Sequence, residues 1–181
     1  FLGAASFNRD VDDWDMSNVA NMQNMFAFAT SFNQDIGDWN TSAVTNMNQM
    51  FQNATAFDQD ISDWTLSTDL NMTSMFYNTN ALSGTNKGLI HASFSPNSNW
   101  DHDWREFVVI NDANFQTAIS LWFSNQADAN ATYGHISDWN VTGVTNMANA
   151  FKDRSTFNAD ISGWDVSSVT NMYRIFHYAS S

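Results

Sequence analysis

The sequence predicts an α/β repeat, a solenoid of 25-residue coils, each a short strand plus a short helix, in two blocks separated by helical capping segments. Three observations carry that prediction. Trp recurs at 14, 39, 64, 139 and 164, always in the same phase. Phe1, Phe26, Phe51, Phe76, Phe151 and Phe176 form a second column, and Phe7, Phe32, Phe57 and Phe157 a third. Val11, Ile36, Ile61, Ile136 and Ile161 keep the step, as do Met22, Met47, Met72, Met147 and Met172, each preceded by Asn. One such unit cannot bury its apolar side chains alone, whereas stacked units share a continuous core in which each side chain packs on its copies.

Within the unit from Asp35 to Gln59, Ile36 and Trp39 flank the expected strand. Val44, Met47, Met50 and Phe51 then follow an i, i+3, i+6, i+7 spacing that suits two turns of helix. A strand followed by a short helix in every coil is the leucine-rich-repeat-like arrangement. The pattern slips at Asp69-Leu70, where Val-Thr is expected, and at Ala150 and Ile175, which replace the second Met of the helix.

The periodicity divides the chain into two blocks separated by helical capping segments. Residues 1–76 form the first solenoid block, 77–105 its closing cap, 106–133 a linker and the opening cap helix of the second block, and 134–181 the second block. Ser83-Gly84-Thr85 is expected to start a helix over Asn86 to Phe94, stopped by Ser95-Pro96-Asn97. Asn111 or Asp112 is expected to cap a second helix whose apolar face is Phe115, Ala118, Ile119, Trp122 and Phe123. The stretch Phe176 to Ser181 has the phase of Phe1 to Ser6, so both ends are expected to present an unfinished coil able to stack end to end on a copy of itself or on further units.

Composition narrows the function. Six Lys and Arg against 19 acids, 18 of them Asp, give a net charge of -13 and no cationic cluster for nucleic acid. With no Cys, the chain has no disulfide, thiolate metal site or Cys nucleophile, and it has no apolar run long enough to insert in a membrane. The Asp10, Asp35, Asp60 and Asp160 column would bring like charges together on neighbouring coils, about 4.8 Å apart, and calcium is the candidate counter-ion. The competing reading has each Asp accepting a hydrogen bond from its own turn. Asn21, Asn46, Asn71, Asn146 and Asn171 are expected to form a buried structural ladder on backbone groups, with Asn8, Asn33, Asp58 and Asn158 doing similar work at the other corner. Trp in a column with Ile and Phe reads as core rather than as a stacking platform for sugars, and Trp100 and Trp104, outside the repeat, as contacts of the closing cap or, failing that, as an exposed contact. Sequons at Asn40, Asn53, Asn130 and Asn140 are candidate N-glycosylation sites, Asn53 and Asn130 being the best placed, whereas Asn71, in the ladder, is expected to stay bare. His91, His102, His135 and His177 are scattered and assemble no catalytic constellation, so the chain does not read as an enzyme.

The motif W-(D/N)-x-S-x-V-T-N-M-x-x-M-F-x-x-A-x-x-F-N-x-D-I, at Trp39 to Ile61 for example, closely resembles the repeat of BspA-family leucine-rich-repeat surface proteins, which also occurs in Mycoplasma surface lipoproteins. The resemblance covers residues 1–76 and 134–181. It implies a cell-surface or extracellular protein of structural or adhesive type, with no enzymatic role for the repeat. Its partners would be other proteins or copies of itself; a calcium-dependent module for glycan or mineral is the alternative.

Overall fold

Where the spacing predicts a strand near Ile36 and a helix over Val44 to Phe51, the chain makes a run of turns; the computed structural model describes residues 1–179. Gln49 and Asn53 hold left-handed backbone at φ 55° and 57°, as do Asn24 and Phe28, Ser74 and Asn78, Asn149 and Asp153, and Arg174 and Tyr178 in the other layers. A left-handed residue at every fourth position ends any α-helix before it can propagate. The amide groups then alternate in direction. Met50, Gln52 and Ala54 close turns on the carbonyls of Met47, Gln49 and Phe51, at 3.1, 3.1 and 3.0 Å. Met47, Gln49, Phe51 and Asn53 instead donate to Asn71, Thr73, Met75 and Tyr77 of the next layer, at 2.8 to 3.0 Å.

The expected leucine-rich-repeat-like solenoid is therefore overturned, and with it the reading of the molecule as a repeat protein of strand-plus-helix coils. β-Type pairing among the described residues is limited to isolated parallel bridges, Asn21 with Asn46, Asn46 with Asn71, Asn146 with Asn171 and Asn111 with Gly143, and there is no strand among them. The α-helices lie between the two periodic stretches: α1 at Gly84–Phe94, α2 at Phe115–Ser124 and α3 at Gln126–Tyr133. Two successive turns turn Met47, Met50 and Phe51 inward as well as a helix would, which is why the apolar spacing misleads.

The chain forms two compact units, one from Phe1 to Phe107 and one from Val108 onward. In the first, Phe1, Phe26, Phe51 and Phe76 stack with ring centroids 5.6 to 5.9 Å apart, and Phe7, Phe32 and Phe57 stack beside them at 6.0 and 6.1 Å. Within a layer the two columns meet, Phe26 on Phe32 at 3.8 Å and Phe51 on Phe57 at 4.0 Å. Trp39 and Trp64 lie parallel at 6.4 Å, and their Nε1 groups donate to the carbonyls of Val11 and Ile36 in the preceding layer. Each of these two buried indoles thus satisfies its one donor while packing its ring, so Trp39 and Trp64 are core, whereas Trp14 at the start of the column is 42% exposed. Helix α1 is capped by Ser83, whose hydroxyl accepts from the Asn86 amide, and buries Ile90, His91 and Phe94. Trp100 and Trp104 then meet the last ring of the row, Phe76, at 6.2 and 5.3 Å.

In the second unit α2 buries Phe115, Ala118, Ile119 and Trp122, and Trp122 meets Trp139 edge-on at 6.1 Å. Trp139 and Trp164 stack in parallel at 6.1 Å, and Phe151 packs on Phe157 at 4.1 Å and on Phe176 at 5.2 Å. Asp112 stands where a preceding layer would be. In the first unit the Thr45 amide donates to the Ala20 carbonyl; the equivalent Thr145 amide donates to the Asp112 carboxylate at 2.8 Å, as does Asn146 at 3.0 Å. The Thr145 hydroxyl and these amides hold the Asp112 carboxyl below the usual carboxylate value. Of the two stretches expected to form unfinished coils, Ser180 and Ser181 lie outside the described residues.

Candidate functional site

Asn and Asp favour turns because their short side chains reach the backbone two residues on. That local chemistry decides where the sequence-predicted sites lie. Asp10, Asp35, Asp60 and Asp160 are exposed, and each accepts from the amide two residues later, on Asp12, Gly37, Ser62 and Ser162, at 2.9 to 3.1 Å. The Asp12 amide is the main cause that lowers Asp10, and the Ser162 amide and hydroxyl lower Asp160. Among the described residues no three His, Cys, Asp or Glu side chains converge to hold a metal ion.

The Asn column lies at the surface rather than in the core. Asn46 is half-buried, and Asn21, Asn71, Asn146 and Asn171 are exposed. Their Oδ1 atoms accept from Gln23, Asn48, Thr73, Ala148 and Tyr173, each two residues on, at 2.9 or 3.0 Å. A side-chain ladder that joins layers runs along the other corner. Asn8 Oδ1 accepts from the Asn33 amide at 2.9 Å and from Gln34 Nε2 at 2.8 Å; Asn33 Oδ1 accepts from the Asp58 amide and Gln59 Nε2, both at 2.8 Å. Asp58 ends the series by accepting from the Ser83 amide at 2.9 Å and Asn86 Nδ2 at 2.8 Å, which ties the ladder to the start of α1.

Beside the Asn column the first unit carries a row of amides fixed in register. Gln23 Nε2 donates to Asn48 Oδ1 at 3.2 Å, Asn46 Nδ2 to Gln23 Oε1 at 3.3 Å, and Asn48 Nδ2 to the Thr73 carbonyl at 3.0 Å. Ala148 and Tyr173 occupy the matching positions of the second unit, so this face belongs to the first. Sequence reasoning missed it, although Gln23, Asn48 and Thr73 keep the 25-residue step and were its signal.

The remaining candidates are dispersed. Asn40 and Asn140 sit in exposed turns, each Oδ1 accepting from the Ser42 or Thr142 hydroxyl of its own sequon at 2.7 or 2.6 Å. Asn53 has left-handed backbone and accepts from Asn78 Nδ2 at 2.6 Å, and Asn130 lies within α3 with its Oδ1 buried and unpartnered. An open groove of about 400 Å³ is lined by Trp64, Leu66, Thr68, Ser93, Pro96, Asn97 and Ser98.

A family model described as "Mycoplasma protein of unknown function, DUF285" matches residues 1–88 and 106–181. The chain belongs to this family. The two matched stretches carry the columns and the left-handed pairs of every layer, together with α2, α3 and the first turn of α1. The residues between them, 89–105, hold most of α1 and the Trp100–Trp104 segment. No curated protein matches the chain. No solved structure matches it either. No helix of the described residues is long and apolar enough to cross a membrane.

Proposed function

We propose that the chain is a structural or adhesive protein of the cell surface or extracellular space that acts through protein–protein contacts or self-assembly. The observation that carries this reading is the amide row of Gln23, Asn46 and Asn48, whose side chains are already held by one another and by the Thr73 carbonyl. A face ordered before contact loses little side-chain entropy on binding, and its spaced donors and acceptors suit a protein backbone or a second polar surface. The resemblance of the motif to BspA-family surface proteins supports the same location and mode of action. In contrast, each Asp of the 10, 35, 60 and 160 column spends an oxygen on its own turn, which weakens the reading in which calcium bridges the chain to a glycan or mineral.

The test is binding of the purified chain to a panel of immobilised extracellular proteins, with sedimentation to detect self-association. Saturable binding that survives chelation and glycosidase treatment is expected, and Gln23→Lys combined with Asn48→Lys should weaken it about tenfold, as the loss of one charge-free hydrogen-bonded patch would. Binding that vanishes on chelation or glycosidase treatment, or that ignores the double substitution, would reject the proposal.

A further inference from the structure

Among the described residues of the first unit, the buried side-chain polar atom without a hydrogen-bond partner is His102 Nε2. The ring lies against Trp104, nearly parallel at 4.7 Å, and meets Trp100 at 5.1 Å and Phe76 at 5.8 Å. The nearest charge is Asp101 on the same loop, with Oδ1 3.3 Å from Nε2. From α1 come His91, whose Nδ1 accepts from Trp100 Nε1 at 2.9 Å, and Lys87, whose ammonium lies 6.0 Å from the Trp104 ring centre. Past the ring, Asp103 is paired with Arg105 at 2.6 Å, and Glu106 follows in the same short turn. The layer that His102 covers contributes Phe76 and no charged group to these contacts.

Asp101 has a second task. Its Oδ2 accepts from the Ser74 amide at 3.2 Å. In the two layers before it, the equivalent amides of Asn24 and Gln49 donate to carbonyls of a following layer, Asn48 and Thr73, both at 3.0 Å. Asp101 and the aromatic rings around His102 therefore close an edge that would otherwise show an unpaired amide and Phe76.

We propose that His102 is an acid-responsive latch: when it is protonated, the Trp100–Phe107 segment loosens from the layer beneath and bares Phe76 and the Ser74 amide. An imidazolium needs acceptors for two N–H groups, and around Nε2 there is one carboxylate oxygen, whose partner oxygen already serves Ser74, among aromatic carbon. Burial accordingly pushes His102 below the ordinary His value, against the pull of Asp101. A base whose folded value lies below its unfolded value takes up protons on opening. The closure is then complete above about pH 6.5 and weakens as the pH falls through the folded value.

The experiment is an NMR titration of the imidazoles in the full chain, with amide exchange followed at Ser74 and across 100–107. The His102 midpoint should lie below about 6.5. Between pH 7 and 5 the protection of Ser74 should fall, by about tenfold for each unit of depression, and His102→Gln or His102→Phe should remove that dependence. A His102 midpoint at or above that of a free imidazole overturns the proposal even if neither variant folds. So does an unchanged pH dependence in the variants, which would place the titrating group elsewhere.

Discussion

Phe28 shows how a single residue bears the local strain of this architecture. It holds φ 60° and is 48% exposed, at a column where the other layers place Gly3, Asn53, Asn78, Asp153 and Tyr178. A left-handed backbone costs an ordinary L-residue about 1 kcal/mol, and Asn relieves part of it through its short polar side chain. Because the Phe28 amide still reaches the Gln52 carbonyl at 2.7 Å whatever its side chain, Phe28→Asn should stabilise the first unit by about 0.5–1 kcal/mol. A rise in the urea midpoint with an unchanged slope checks it, and a fall would mean that the half-exposed ring contributes more packing than the backbone conformation costs. The same scale explains why the Asn column was misplaced. Asn46 and its copies have the spacing of a buried ladder, but an Asx turn needs that spacing too, and nothing local distinguishes an amide that bonds its own turn from one that bonds its neighbour.

At the scale of elements, the 25-residue columns and two of the three α-helices, α1 and α2, were legible, and α3 and the secondary structure within the periodic layers were not. Helix α1 has a side-chain cap at Ser83 and a stop near Pro96, and α2 has an apolar face; these are local signals that act on the backbone directly. The layers carry weaker ones. Their Met and Phe spacing fits a helix and a pair of turns equally, and the choice falls to left-handed positions that Gly3, Asn24, Asn53, Asn78 and Asn149 mark but Gln49 and Ser74 do not. The corner ladder was visible as the series Asn8, Asn33 and Asp58, and it offers a pH test. Burial alone would raise Asp58, but the Ser83 amide and hydroxyl, Asn86 and the charge of Lys87 together hold it below the usual carboxylate value. A carboxyl depressed on folding contributes stability that is present above its unfolded value, near pH 4, and is lost as pH falls through the folded one. Asp58→Asn should keep the ladder, since the neutral Asn33 Oδ1 one layer earlier already accepts two bonds of the same length, 2.8 Å each. Urea midpoints at pH 7 and pH 3 should therefore converge in the variant relative to the parent; an undiminished acid loss would place the titrating group elsewhere.

For the whole molecule, the two units differ in charge as well as in sequence. Thirteen acids and three Lys or Arg precede residue 108, against six and three after it, so self-repulsion is concentrated in the first unit. Each unit closes its own core. Buried residues from Val11 to Phe94 form one apolar cluster and those from Ile110 to Trp164 another, with no member in common. Cooperativity follows buried contacts, so damage to one cluster should remain within its unit. Phe151 is the test position, fully buried between Phe157 at 4.1 Å, Phe176 at 5.2 Å and Trp164 at 6.0 Å. Truncating such a ring to Ala costs about 3–5 kcal/mol, which is comparable with the whole stability of a unit this small at about 0.05–0.15 kcal/mol per residue. Hydrogen exchange of Phe151→Ala should then show the amides of Met147, Asn149 and Phe151 losing protection while Met47, Gln49 and Phe51, which make the same bonds in the first unit, keep theirs. Joint loss of protection in both sets would show that the two clusters unfold as one, and the separate closure of their cores would then not govern how the molecule comes apart.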